Sequence, residues 1–212
     1  MKERMNKFSV GLGLFDYINP IFYSITSITI MRNLHGDMSK GLFILLLLGC
    51  FVSIVFGLTI PTVKFLVGLG KIKFKMPVNL VFYVNSGILL SGITVFIHIF
   101  KLSPWINLLI IVIILAILVL IYLKTKKFNS VAVITGLLGY SLIYSSMIAT
   151  AIRVDYKLSI VLYALAICCC IFLVLLGCKS DLMKPRVHWA IEITNVVCQG
   201  LVALSTVLLF HH

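Results

Sequence analysis

Long apolar stretches, separated by short polar gaps, divide the chain into seven segments. They cover residues 8–31, 41–60, 78–100, 104–123, 129–152, 158–177 and 187–210. Each is close to the roughly 20 residues that a helix needs to cross the hydrocarbon core of a bilayer. Because lipid cannot satisfy backbone N–H and C=O groups, a helix is the expected conformation of each. The pattern predicts an all-α membrane bundle of about seven transmembrane helices, forming a single integral membrane domain over residues 1–212.

The composition excludes a soluble globular protein. Of the 212 residues, 61% are hydrophobic and only 11% are charged, and the mean hydropathy is +1.17. A soluble domain carries about 25% charged residues. The same values exclude a disordered chain, so we expect the lipid bilayer to surround most of the surface.

The basic residues predict how the helices are oriented. The chain has 18 Lys and Arg against 6 Asp and Glu, a formal net charge of +12. They lie in the gaps between apolar stretches, where anionic headgroups are their expected partners, and we expect no nucleic-acid partner. Thirteen of the 18 fall on one set of segment ends, which should therefore be cytoplasmic, with the amino terminus inside. These are Lys2, Arg4, Lys7, Lys64, Lys71, Lys73, Lys75, Lys124, Lys126, Lys127, Lys179, Lys184 and Arg186.

The longest gap between apolar stretches runs from residue 61 to 77. Within the gap, residues 62–75 contain four lysines among apolar residues, which predicts a short amphipathic helix on the cytoplasmic surface.

Small residues recur within several segments, and such spacing favours close helix contacts in lipid. They are Gly49, Ser53 and Gly57, then Gly87, Ser91 and Gly92, and finally Gly136 and Gly139.

The six cysteines show no metal-site or redox-motif spacing. They are Cys50, Cys168, Cys169, Cys170, Cys178 and Cys198. None forms a CxxC pair, and no His and Cys spacing suits zinc. We interpret them as reduced packing residues and expect neither a metal nor a cofactor.

Two acidic residues lie inside the apolar segments, Asp16 and Glu192. A central Asp costs roughly 2.5–3.5 kcal/mol to insert, so such groups normally face the protein interior or a water-filled cavity. In the last segment, Glu192 belongs to a polar stripe that covers an arc of roughly 60°. The stripe consists of His188, Glu192, Asn195, Gln199 and Thr206. It indicates either the lining of a polar cavity or a row of interhelical hydrogen bonds, and we favour the cavity.

Polar faces on two other segments are candidate partners of this stripe. One contains Asp16, Tyr23 and Ser27, and another contains Asn79, Tyr83 and Ser86. We assign Glu192 and Asp16 as candidate acid–base residues. The candidate substrate contacts are His188, Asn195, Gln199, Asn79 and Tyr83. Whether these faces converge is left open by the sequence.

About 70 residues at the carboxyl end resemble the bacterial lysoplasmalogenase-like (YhhN-like) membrane family. The likeness lies in Tyr140-x6-Met147-x3-Ala151, in His188, and in the stretch TNVVCQGLVALS over residues 194–205, where Asn195 replaces the usual aromatic residue. The resemblance implies a multi-span protein of a bacterial cytoplasmic membrane that hydrolyses the vinyl-ether bond of lysoplasmalogens. The acidic residues expected from the family are missing at 53–57 and 168–172, so Glu192 and Asp16 would have to replace them.

Three functions remain open at this point. The first is a lipid hydrolase of that family, with altered catalytic residues. The second is a proton-coupled or facilitative carrier of a small solute. The third is a non-catalytic accessory protein in which the polar stripe serves only packing. The sequence leaves the substrate and the oligomeric state undetermined.

Overall fold

The computed structural model describes residues 10–71, 78–179 and 185–211. The side chains of Val78, Asn129, residues 177–179, Pro185, Arg186 and His188 lie outside this description. The described chain is α-helical. Its helices are α1 (Val10–Phe15), α2 (Ile18–Leu34), α3 (Lys40–Gly68), α4 (Val78–Phe100), α5 (Pro104–Thr125), α6 (Phe128–Arg153), α7 (Lys157–Lys179) and α8 (Pro185–His211).

Within these ranges, six helices are long and apolar enough to cross a membrane: α3, α4, α5, α6, α7 and α8. This confirms the all-α class and identifies the chain as a multi-pass membrane protein. The first predicted segment, 8–31, instead forms two helices, because the chain turns at Asp16 and Tyr17 between α1 and α2. With 17 residues, α2 is shorter than the other long helices.

The second predicted segment is longer than expected. It was predicted to end at residue 60, yet α3 continues through Pro61 to Gly68. Proline is tolerated inside membrane helices where neighbouring side chains satisfy the backbone groups that it disrupts. Next to the proline, the hydroxyl of Thr62 donates to the carbonyl of Leu58 at 2.7 Å.

Two compact units make up the fold. The first comprises Met1–Ile30, Gly57–Met76 and Ala151–His212, and the second comprises Met31–Phe56 and Pro77–Thr150. The predicted small-residue contacts are present within the second unit. A Cβ placed on Gly49 would lie 2.9 Å from the backbone nitrogen of Ser91, and one on Gly92 would lie 2.5 Å from the carbonyl oxygen of Gly139. These glycines therefore allow α3, α4 and α6 to approach backbone to backbone.

The α5 helix, in the second unit, is the most exposed of the six. Its mean hydropathy is 3.3 and only 6% of its apolar window is buried inside the protein. Ile114 is its one buried residue among those described, and Trp105 is 80% exposed. A helix that is apolar all round and buried on almost no side is suited to a lipid environment.

Candidate functional site

A lysine and two carboxylates meet inside the first unit. The Nζ atom of Lys64 donates to Oδ2 of Asp16 at 2.7 Å and to Oε1 of Glu192 at 2.8 Å. The three side chains are 8–9% exposed. We call Asp16, Lys64 and Glu192 the charged cluster. The two acidic residues singled out in the sequence thus converge on one ammonium group.

The break between α1 and α2 places Asp16. The residue follows the last residue of α1, and Asn19, in the first turn of α2, donates from Nδ2 to Oδ1 of Asp16 at 3.2 Å. One turn earlier, a Cβ on Gly13 would lie 2.8 Å from the backbone nitrogen of Phe65. Only glycine permits this approach, which brings α1 against α3 next to Lys64.

Lys64 lies in the part of α3 that follows Pro61. Thr62, also in this part of α3, contacts the α1–α2 break: its hydroxyl lies 2.7 Å from the hydroxyl of Tyr17. This is a second polar contact between the break and α3. This location contradicts the predicted surface helix at 62–75: residues up to Gly68 continue α3, and Lys64 is buried. Residues 72–75 lie outside the described residues.

The polar stripe of α8 places Glu192. Glu192, Gln199 and Thr206 are 6%, 5% and 0% exposed, whereas residues on the opposite face, Val197 and Leu204, are 48% and 50% exposed. The stripe therefore faces protein. Near the start of α8, the rings of Trp189 and Phe15 lie with their centroids 5.7 Å apart, which anchors this end of α8 beside the α1–α2 break.

The far end of the stripe is a hydrogen-bonded packing contact with α7. The hydroxyls of Thr206 and Tyr163 are 2.6 Å apart, and both residues are fully buried. Beside them, Ser159 donates to the carbonyl of Ser205 at 2.7 Å, and Ser205 donates to the carbonyl of Ser159 at 3.0 Å. At this end the packing interpretation of the stripe applies, and the charged cluster lies at the other end.

The remaining candidate residues have different positions. Gln199 is buried on α8 and Asn195 is partly exposed there, while the side chain of His188 lies outside the described residues. Asn79 and Tyr83 belong to the second unit, where both are exposed and the Tyr83 ring lies 4.9 Å from that of Phe56. The assignment of all five of these residues as substrate contacts stays a prediction.

The charges of the cluster do not balance when all three groups are ionised. Two carboxylates share one ammonium, which leaves one negative charge in a buried environment. Buried charges are costly unless they are paired. One proton on either carboxylate, or one bound monovalent cation, would neutralise the cluster. Among the described residues, no group of three or more His, Cys, Asp or Glu side chains could hold a metal ion.

Sequence reasoning missed Lys64, although the sequence contains a signal for it. Lys64 is flanked by Val63 on one side and by Phe65, Leu66 and Val67 on the other. A lysine within such a stretch is a candidate for burial. The prediction ended the second segment at residue 60 and counted Lys64 among the basic residues at cytoplasmic segment ends.

Comparisons with known proteins give no relative for this chain. No protein-family model matches it, and neither the curated proteins nor the solved structures include a match.

Proposed function

We propose that this protein is a proton-coupled carrier of a small solute, with Asp16, Lys64 and Glu192 as its proton-binding site. The observation that supports this is the charge imbalance of the buried cluster, in which both carboxylates contact Nζ of Lys64. Ionisable residues within membrane segments commonly form proton relays and ion pathways. A cluster that is neutral with one proton bound and negative without it is suited to that role.

The local backbone supports the same proposal. Asp16 lies where the helix is interrupted between α1 and α2, and Lys64 lies three residues after the proline inside α3. Carriers typically bind substrates and coupling ions where their membrane helices are discontinuous, because the interrupted backbone exposes polar groups there.

Proton binding is tested first by infrared spectroscopy of the purified protein in lipid. We expect the carbonyl band of a protonated carboxylic acid in a water-excluded environment, which differs in frequency from the band of exposed carboxylic acids, to titrate reversibly with pH. Glu192→Gln and Asp16→Asn should each remove or shift that band, whereas Asp37→Asn, at an exposed position, should leave it unchanged. A wild-type protein without this titrating band would contradict the proton site.

Coupling is tested in proteoliposomes that contain a trapped pH-sensitive dye. A panel of sugars, amino acids, organic ions and metal cations is added outside, and the dye reports proton movement. We expect a solute that drives proton entry through the wild-type protein and not through Glu192→Gln. Equal proton movement through both proteins would refute the coupling. A Glu192→Ala variant that is destabilised but unaltered in flux would favour the accessory function.

A lipid hydrolase is the second candidate, and the resemblance of the carboxyl-terminal segments to the lysoplasmalogenase-like family favours it. In this proposal, a protonated carboxyl group of the Asp16 and Glu192 pair donates its proton to the vinyl-ether carbon. The other carboxylate activates water, which adds to the resulting oxocarbenium carbon, and the hemiacetal then releases a fatty aldehyde and the glycerophospho-headgroup alcohol. Purified protein should cleave a lysoplasmenyl lipid faster than Glu192→Gln does, and equal rates would remove this candidate.

We also propose in which membrane the protein lies and how it is oriented there. The bias of basic residues and the family resemblance together favour a bacterial cytoplasmic membrane, with the amino terminus inside. Accessibility labelling of cysteines introduced at Lys71 and at Asp37, both exposed, tests this orientation, because position 71 should react only from the cytoplasmic side and position 37 only from the outer side.

A further inference from the structure

We propose that Cys170 and Cys198 are an oxidisable thiol pair, and that their disulfide fastens α7 to α8. The two Sγ atoms lie 3.4 Å apart, one on each helix. Cys198 is 1% exposed, and Cys170 is partly exposed. This inference is independent of the proposed proton site.

The packing of the two helices holds these thiols together. Ser159 and Ser205 exchange hydrogen bonds at one end of the contact, and the thiol of Cys198 lies 3.4 Å from the carbonyl oxygen of Ala166 farther along. Both contacts bring the helices close enough for small side chains to meet. An S–S bond is about 2.05 Å long, so the sulfurs need to approach by only about 1.4 Å.

The positions of the other described cysteines make pairing of Cys198 with any of them less favourable than pairing with Cys170. Cys168 and Cys169 precede Cys170 directly and point about 200° and 100° away from it around the helix. Cys168 is exposed, and Cys50 belongs to the second unit, where its thiol lies 3.5 Å from the hydroxyl of Ser91. Among the described cysteines, the Cys170–Cys198 pair is therefore the one placed to form an intramolecular disulfide.

The reaction needs a two-electron oxidant that dissolves in the bilayer, and we infer that a lipid-soluble quinone fills this role. Two S–H bonds break and one S–S bond forms. The two electrons and two protons that leave the thiols reduce the quinone to its quinol. The disulfide then closes a covalent loop between α7 and α8, the helix on which Glu192 lies.

The experiment uses the intact protein in lipid vesicles. The sample is treated with duroquinone, a fully methylated quinone whose ring carbons carry no hydrogen for a thiol to replace. Remaining thiols are then alkylated, and the peptides are mapped by mass spectrometry without reduction. We expect a Cys170–Cys198 cross-linked peptide that disappears after reduction, and a higher unfolding temperature of the oxidised protein.

Matched variants make the result specific. Cys169→Ser and Cys168→Ser should keep the cross-link, whereas Cys170→Ser and Cys198→Ser should each lose both the cross-link and the rise in unfolding temperature. Recovery of Cys170 and Cys198 as separate alkylated peptides after quinone treatment would overturn the proposal. A cross-link between Cys198 and Cys168, or one between two protein molecules, would overturn it as well.

Discussion

The ammonium of Lys64 lies 2.8 Å from a carboxylate oxygen of Glu192, a residue 128 positions farther along the chain. The same nitrogen lies 2.7 Å from a carboxylate oxygen of Asp16. The two carboxylates are thus held within two hydrogen-bond lengths of each other by one cation. Removing that cation should affect the protein more than removing any other single charge described.

Lys64→Met should destabilise the protein by about 3–5 kcal/mol, because it leaves two buried carboxylates without their counter-charge. Thermal unfolding in detergent measures the effect. Lys71→Met, at an exposed position close by in the sequence, is the matched control and should change the unfolding temperature little. The double variant Lys64→Met with Glu192→Gln should be more stable than Lys64→Met alone. A double variant that is less stable would show that the charge imbalance is not the cause.

Gly13→Ala should loosen the contact of α1 with α3, since its Cβ would lie 2.8 Å from the backbone nitrogen of Phe65. Backbone atoms cannot move aside as a flexible side chain can, so we expect a loss of about 1–3 kcal/mol of stability. Because the same contact places Asp16 beside Lys64, the titrating infrared band should shift as well. Gly36→Ala is the control, because nothing lies within 4 Å of its added carbon. Equal unfolding temperatures for the two variants would argue against the close approach.

Gly87→Ala tests the packing of the second unit. Its Cβ would lie 2.6 Å from the carbonyl oxygen of Gly49 and would also clash with the hydroxyl of Ser53. We expect α3 and α4 to separate, at a cost of about 1–3 kcal/mol in unfolding measurements. Gly41→Ala, on the same α3 helix but with open space around it, should be neutral.

Ser205→Ala tests the packing end of the polar stripe. It removes the hydroxyl that donates to Ser159, while Ser159 can still donate to the carbonyl of residue 205. Interhelical hydrogen bonds in membranes average about 0.6 kcal/mol, so the loss of stability should be small. Proton binding should be unaffected. Thr194→Val is the comparison, because the Thr194 hydroxyl donates to Ala190 within its own helix. A change in the carboxyl band on Ser205→Ala would contradict this division of the stripe.

The extent of the apolar stretches predicted most helix bounds to within a few residues, since a span must reach a minimum length to cross lipid. The inward orientation of the α8 stripe followed from the cost of placing Glu192 and Gln199 against acyl chains. Two features could not be predicted that way. The α3 helix continues through Pro61, which is tolerated inside a membrane helix although proline usually ends a helix in water. The turn at Asp16 and Tyr17 divides the first apolar segment into two helices. The convergence on Lys64 follows from both features.

The positions of the three charged residues along the chain also bear on how the protein is assembled. Asp16 and Lys64 precede Glu192 in the chain, and as an ion pair they carry no net charge. Glu192 is translated after five further helices have begun, and its insertion adds the unbalanced negative charge. The excess negative charge of the cluster is therefore present only once α8, the last helix, has packed beside Asp16 and Lys64.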